Sequence, residues 1–111
     1  MFLLRRIGFS LVLAACSVSV ALAQSAGLPA FKKHENYKTV RTKMLKAGWK
    51  PYHAPDADEC SGDERCVGRP EMTTCEGTGK AFCIFTWKRG GKTATIQTVG
   101  ENTILESYSV R

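Results

Sequence analysis

The sequence predicts a small α+β fold, in which one amphipathic helix packs on an antiparallel sheet that is stapled by disulfides. Three observations predict it. Apolar residues recur with a helical period before residue 48, they alternate with a strand period after residue 80, and four cysteines lie between residues 60 and 83. We expect a three-stranded C-terminal meander and one short edge strand, because three alternating runs follow one another with short turns.

The first 23 residues have the organisation of a secretory signal peptide. Arg5 and Arg6 precede an apolar run, and the small residues Ala21 and Ala23 form a cleavage site before Gln24. The remaining chain has no second apolar span that would stop transfer across a membrane. We therefore predict an exported protein, periplasmic or secreted, whose cysteines meet an oxidising environment.

A second processing site overlaps the first. The run LAAC at residues 13–16 resembles the lipobox of bacterial lipoproteins, in which the cysteine is acylated and becomes the new N-terminus. Residues 17–23 remain apolar, whereas a lipoprotein tether is usually polar, so cleavage after Ala23 is favoured. The protein is then attached to a membrane only if Cys16 is lipidated, and both alternatives remove Cys16 from the folded domain.

Residues 24–31 have the composition of a linker, and one folded domain is predicted over residues 32–111. A domain of this size has a modest apolar core, so covalent cross-links would add usefully to its stability. The sequence contains no internal repeat and no low-complexity tract. We expect a monomer.

The helix is predicted over residues 37–47. Asn36 is a suitable N-cap and Gly48 a suitable C′ residue. One arc of this helix is apolar, while lysines and threonines cover the remainder. Only Arg41 interrupts the apolar arc, and we expect its stem to lie along the surface while its charge reaches water.

Strands are predicted on both sides of a long loop. The segment GWKPYH after the helix is extended, and Pro51 assigns it to a sheet edge because proline cannot donate to a ladder. Residues 54–74 are rich in Asp, Gly, Pro and Ser and are predicted to be a loop. The runs AFCIFTW, TATIQTV and TILESYSV then read as strands, separated by the turns KRGGK and GEN. Trp87 is expected in the core, and Trp49 is expected to fold back on the helix end.

The cysteines of the domain are predicted to form two disulfides; they are Cys60, Cys66, Cys75 and Cys83. Their spacing includes neither the close ligand pair of a structural zinc site nor a Cys-x-x-Cys redox motif. Four cysteines allow three pairings. We favour Cys60 with Cys66 and Cys75 with Cys83, since each pair closes a short loop of turn-forming residues. No metal or other cofactor is expected.

Three runs carry a resemblance to known proteins: MLKAGWKPY, RPEMTTCEGTGKAFCIFTW and GKTATIQTVGE. They are similar to a group of small exported bacterial proteins of unknown function, over about residues 37–101. The resemblance implies an exported single domain and supplies no activity, ligand or catalytic residue. The order of helix and sheet is also similar to small periplasmic modules such as PASTA and inhibitor-like domains, which concerns the fold alone.

Charge is divided unevenly along the exported chain. Residues 32–50 hold seven basic residues and one acid, whereas residues 51–76 hold seven acids and two arginines. The basic helix predicts an acidic envelope protein or polymer as partner, with four candidate contact residues: Lys38, Lys43, Lys46 and Trp49. The alternative is a solvated face that the acidic segment of the same domain partly neutralises. Nucleic acid is not expected, because aromatic and basic residues are hardly interleaved.

The sequence contains no catalytic motif. His34 and His53 flank the helix and could act as an acid–base pair, but no motif surrounds either. The acidic run HAPDADECSGDE does not match a calcium loop. Cysteine stands at position 5 of the loop, where an oxygen ligand is needed, and glycine stands at position 7 instead of position 6. We predict a non-enzymatic binding or accessory module of the bacterial cell envelope. The alternatives are an inhibitor or immunity-type protein that blocks an envelope or secreted enzyme, and a small hydrolase.

Overall fold

The computed structural model describes residues 27–111, and the fold is the predicted α+β arrangement of one helix and an antiparallel sheet. The processing sites predicted in residues 1–23, and residues 24–26, lie outside the described residues. We number the elements in chain order: helix α1 Tyr37–Lys46 and strands β1 Lys50–Pro51, β2 Met72–Cys75, β3 Cys83–Arg89, β4 Lys92–Val99 and β5 Ile104–Val110.

The helix begins and ends at the predicted signals. The side chain of Asn36 accepts a hydrogen bond from a backbone N–H of the first turn, as an N-cap does. The helix ends at Lys46, one residue earlier than predicted, and Gly48 follows with a φ of 88° that glycine adopts without strain. The N–H of Trp49 then donates to the carbonyl of Met44, which closes the helix end.

Strand β3 is the centre of the sheet. Strand β4 pairs with β3 along one edge, while β1 and β2 share the other edge. Strand β5 pairs with β4 and is the outermost strand on that side. The β3–β4 hairpin turns at Gly90 and Gly91, between the paired residues Arg89 and Lys92. The predicted meander and the short edge strand at Pro51 are therefore confirmed.

Strand β2 is an addition to the prediction, which assigned residues 54–74 to a loop. Cys75 lies opposite Cys83 in the β2–β3 register, so the disulfide between them joins neighbouring strands. Four residues are too few to show a strand period in a sequence, and their pairing depends on β3. Residues 54–71 are irregular apart from turns, as predicted.

The core lies between α1 and one face of the sheet. Tyr37, Val40 and Met44 of the helix are fully buried. They pack with alternate residues of β3 and β4, as expected for a sheet with one buried face: Cys83, Phe85, Trp87, Ala94 and Ile96. The rings of Tyr37 and Phe85 stack with centroids 3.9 Å apart. Trp87 is in the core, as predicted.

Both favoured disulfides are present, Cys60–Cys66 and Cys75–Cys83. Disulfides form in oxidising compartments, so these two indicate an extracellular or periplasmic location. Within residues 27–111, no helix is long and apolar enough to cross a membrane.

Arg65 holds the two disulfide loops together. Its guanidinium donates to the carboxylate of Asp63 in the first loop and to the carbonyls of Glu76 and Ala81 around the second. The hydrogen bonds from Arg65 lower the pKa of Asp63 and keep it ionised. A buried arginine that spans both loops gives this part of the surface a fixed shape.

The segment predicted as a linker packs against the domain where it is described. Leu28 belongs to the core, and Phe31 packs against it. The indole of Trp49 donates to the carbonyl of Gly27. The domain therefore starts before residue 32, because Leu28 lies in the core and Phe31 packs against it although their segment has linker composition.

Candidate functional site

A buried carboxylate connects the helix to the sheet. Glu71 is 0% exposed, and its Oε2 accepts hydrogen bonds from the hydroxyl of Tyr37 at 2.8 Å and from Nε of Arg41 at 2.6 Å. The indole N–H of Trp87 donates to the same hydroxyl at 3.1 Å. Arg41, whose side chain is 25% exposed, therefore pairs with Glu71 instead of carrying its charge out to water as predicted.

This cluster is structural. Burial, together with the neighbouring Glu71 carboxylate, raises the pKa of Tyr37 well above its usual range, so the hydroxyl stays protonated and donates. The hydrogen bond to Glu71 raises the pKa of Arg41 as well. Glu71 has all its partners within the protein and no access to solvent, which leaves no position for a substrate.

The predicted contact residues of the basic helix are in different environments. Lys38 and Lys46 are exposed, as a docking surface requires. Lys43 is half-buried, and its Nζ binds the carboxylate of Glu35 at 2.8 Å and the carbonyl of Ala30 at 3.0 Å. Lys43 therefore fastens the segment before the helix to the helix itself.

Trp49 was a candidate contact residue, and its burial contradicts that prediction. It is 1% exposed and lies in the core, where its indole bonds to Gly27 and the guanidinium of Arg89 lies over the ring at 5.0 Å from the centroid. The chain folds back at Gly48, and this reversal directs Trp49 inward.

The acidic loop, which we define as residues 53–64, does not neutralise the helix. The two ion pairs of α1 use Glu71 and Glu35, both outside this loop. The one ion pair of the loop in the described part of the chain joins Asp63 to Arg65, close by in sequence. The whole acidic segment, residues 51–76, thus neutralises the helix in part, as the alternative predicted, because its Glu71 binds Arg41. Lys38 and Lys46 form no ion pair with it within residues 27–111.

The outer edge of β5 is open over its second half. Thr93 and Arg111 exchange both backbone hydrogen bonds at 2.9 Å. Backbone groups alternate in direction along a strand, so those of Ser109 and Ser107 also point toward β4. The N–H and C=O groups of Tyr108 and Val110 therefore point away from β4. Within residues 27–111, these two residues have no backbone partner on that side.

The first half of the same edge is covered. The N–H of Leu105 donates to the carbonyl of Glu35 at 2.8 Å, and the N–H of Tyr37 donates to the carbonyl of Thr103 at 2.9 Å. A register shift between β4 and β5 inserts Glu106 after Leu105, as a β-bulge does. The segment before the helix thus pairs with β5 up to this bulge and no further.

A groove of about 490 Å³ runs beside the open part of the edge, and we call it the edge groove. Its apolar wall includes Phe31 and Tyr108, whose rings meet edge to face at 5.1 Å between centroids. Tyr108 remains 50% exposed. The other residues that line the groove are mainly basic or apolar: Lys32, Lys33, His34, Leu105 and Glu106.

The basic turn, which we define as residues 32–34, is held in place at one rim of this groove. The N–H of Lys32 donates to Oε1 of Glu35 at 2.7 Å, and the N–H of Glu35 donates to the carbonyl of Lys32. The hydrogen bond from Lys43 lowers the pKa of Glu35, which keeps this anchor ionised. His34 has a φ of 60°, a left-handed conformation that costs a non-glycine residue about 1 kcal/mol.

A second groove lies at the first disulfide, and we call it the disulfide groove. It has a volume of about 520 Å³ and is lined by His53, by two acids and by both cysteines of the Cys60–Cys66 disulfide. The ring of His53 lies 3.1 Å from the carbonyl of Pro70. His34 lines the edge groove instead, so the structure does not bring the two histidines together as a catalytic pair. Residues 27–111 hold no cluster of three His, Cys, Asp or Glu side chains suited to a metal ion.

No protein-family model, curated protein or solved structure matches this chain. The resemblance to small exported bacterial proteins therefore stays a prediction.

Sequence reasoning missed the edge groove. The dipeptide Lys32-Lys33 was visible as part of a basic segment, and Phe31 was placed in a linker. The exposed Tyr108 belongs to the last strand. Only the pairing of β5 brings these residues together, and no local pattern marks that pairing.

Proposed function

We propose that the protein is an exported, non-enzymatic binding module of the bacterial cell envelope that captures an acidic partner. The partner would be an acidic protein or polymer in the periplasm or outside the cell, and the protein would act as a monomer. One observation carries the proposal. Four lysines around the start and the outer face of α1 are exposed and form no ion pair within residues 27–111: Lys32, Lys33, Lys38 and Lys46.

Exposed lysines without an ion-pair partner in their own domain can attract an anionic partner. Exposed ammonium groups remain hydrated and attract an anionic partner over roughly one Debye length, about 8 Å at physiological salt. A carboxylate of the same domain beside each lysine would cancel that field. The four lysines form no ion pair in the described part of the chain, and Glu35, the carboxylate beside Lys32, is bound by Lys43.

The test is binding to poly-L-glutamate, an anionic polymer of defined chemistry, measured by calorimetry at low and high salt. Two double variants reverse charge at the proposed surface: Lys32→Glu with Lys33→Glu, and Lys38→Glu with Lys46→Glu. The matched control is Lys80→Glu with Lys92→Glu, which makes the same change in net charge at exposed positions outside both the helix and the basic turn.

The proposal expects weak, salt-sensitive binding that both surface variants reduce and the control retains. Equal losses in all three variants would show that net charge alone is responsible. Binding that high salt does not weaken would contradict the proposal outright.

The inhibitor alternative has one observation in its favour. Val67 is 58% exposed on the segment that Cys60–Cys66 and Arg65 hold rigid, and a fixed loop with an exposed apolar residue suits insertion into an enzyme cleft. Inhibition of an exported hydrolase at near-equimolar ratio, lost in Val67→Asp, would support it. The hydrolase alternative has less support, because His34 and His53 line different grooves.

A further inference from the structure

The open edge of β5 lies beside a basic rim and an apolar wall, and these are the parts of a strand-addition site. We propose that the acidic partner binds as an extended peptide segment that adds to β5 as a further antiparallel or parallel strand. This inference rests on the proposed function, since it states how the captured partner is held. It concerns the edge groove and not the outer face of the helix.

The open edge of β5 presents backbone groups that an added strand can bind. Tyr108 and Val110 each direct one N–H and one C=O away from β4, without a backbone partner in the described part of the chain. An extended peptide beside them would use all four groups in ladder hydrogen bonds. Strand addition of this kind provides affinity from main-chain bonds and specificity from the side chains at alternate positions.

The edge groove offers an apolar wall for the side chains of an added strand. Tyr108 pairs with the buried Ile96 and so lies on the side of the sheet that faces α1. Its ring meets that of Phe31 edge to face and remains half exposed. The groove of about 490 Å³ at this position can receive apolar side chains from one face of an added strand. Leu105, which is almost fully buried, is part of its lining.

Charge selects the occupant. The groove carries Lys32 and Lys33 against one acid, Glu106, so its rim is net basic. A strand with carboxylates at alternate positions matches this rim. A second copy of the chain matches it poorly, because β5 carries one carboxylate, Glu106, and not carboxylates at alternate positions.

The experiment uses the exported protein and an acetylated, amidated heptapeptide of alternating Glu and Val. Control peptides separate charge from strand formation. One control replaces every Glu by Lys. Two further controls keep all side chains but carry backbone N-methyl groups at every second residue, one at the odd positions and the other at the even positions. Binding is measured by calorimetry up to about 1 mM peptide, a range suited to the weak affinity of a short strand edge for a peptide. Amide hydrogen exchange then locates the bound peptide on the protein.

The proposal predicts that the acidic peptide binds and slows exchange at the amides of Tyr108 and Val110. The N-methylated peptide of one register should bind at least about tenfold more weakly, because each lost backbone hydrogen bond accounts for a factor of about 2–10. The Lys peptide should not bind. Lys32→Gln with Lys33→Gln should weaken binding, whereas Glu106→Gln should strengthen it about twofold or more by removing the opposing charge.

Three outcomes would overturn the inference. Binding that survives N-methylation in both registers would show capture by charge alone, which leaves the proposed function standing and removes strand addition. Protection of Tyr108 and Val110 that rises with protein concentration and without peptide would make a second copy the occupant. No binding of the acidic peptide at about 1 mM, with poly-L-glutamate still bound through the helix lysines, would place the partner elsewhere.

Discussion

The hydroxyl of Tyr37 lies 2.8 Å from Oε2 of Glu71, which joins the first residue of the helix to the residue that precedes β2. The same hydroxyl accepts a hydrogen bond from Trp87 in β3. One phenol group therefore connects α1, the end of the long loop and the central strand. The helix carries the basic surface, so this contact also fixes where that surface lies relative to the sheet.

The Tyr37→Phe variant tests the contribution of this hydroxyl. It keeps the stacked ring but leaves the buried indole N–H of Trp87 without an acceptor, so we expect a loss of about 1–3 kcal/mol in unfolding free energy. Urea denaturation followed by tryptophan fluorescence measures it. The matched control is Tyr52→Phe, whose hydroxyl makes no hydrogen bond in the described structure, with an expected change within about 0.5 kcal/mol. Equal losses in the two variants would contradict the assignment.

The ion pair between Glu35 and Lys43 predicts a pH dependence of stability. Hydrogen bonding from Lys43 lowers the pKa of Glu35 below its unfolded value of about 4.3. The stability that the pair contributes is then fully present above that pH and is lost as the pH falls through the folded-state pKa. Glu35→Gln should therefore be less stable than wild type at pH 7, by about 1 kcal/mol or less, and the two should converge as the pH falls below the lowered pKa of Glu35.

Urea midpoints measured between about pH 2 and pH 7, a range that spans carboxylate titration, provide the comparison. Glu64→Gln is the control, since Glu64 is exposed and forms no ion pair within residues 27–111. A difference between Glu35→Gln and wild type that persists unchanged at the acidic end would argue against the ion pair as its cause.

The two disulfides should differ in their effect on stability although they close loops of similar length. Their cysteines are separated by 6 and 8 residues, so loss of either raises unfolded-chain entropy by a similar amount, worth about 2–3 kcal/mol. Cys66 and Cys83 are both buried in the core, so the two pairs differ in their other cysteine: Cys75 is partly buried and packs against the core, whereas Cys60 is exposed. Replacing Cys75 and Cys83 by alanine should therefore cost more than replacing Cys60 and Cys66, because it leaves the larger packing defect. Thermal unfolding that ranks the two variants in the reverse order would contradict this.

Most of the fold could be predicted because its signals are local. The helix shows an N-cap, a C′ glycine and a 3.6-residue period within thirteen residues, and the last three strands are seven or eight residues long with short turns between them. The disulfide pairing followed from the short distances between cysteines in the chain. Strand β2 could not be predicted, since its four residues gain their conformation from pairing with β3 and from the bond between Cys75 and Cys83.

The site could be predicted only in part, because it depends on contacts between distant residues. Lys38 and Lys46 were identified from the polar arc of the helix. Glu71 looked like one more acid of an acidic segment, and its partner Arg41 is 30 residues away. Trp49 was expected both to fold back on the helix end and to contact a partner; the turn at Gly48 directs it inward, which excludes only the second role. The edge groove joins residues from the two ends of the domain, which no sequence period reports.

Strand addition requires the outer edge of β5 to be open, and amide hydrogen exchange of the free protein tests this directly. Ser107 and Ser109 face β4 and should be protected, while Tyr108 and Val110 face outward and should exchange at rates close to those of an unstructured peptide. Exchange followed residue by residue by NMR resolves this alternation. Protection of Tyr108 as strong as that of Ser109, at all protein concentrations, would show that the edge is already paired and would contradict the account.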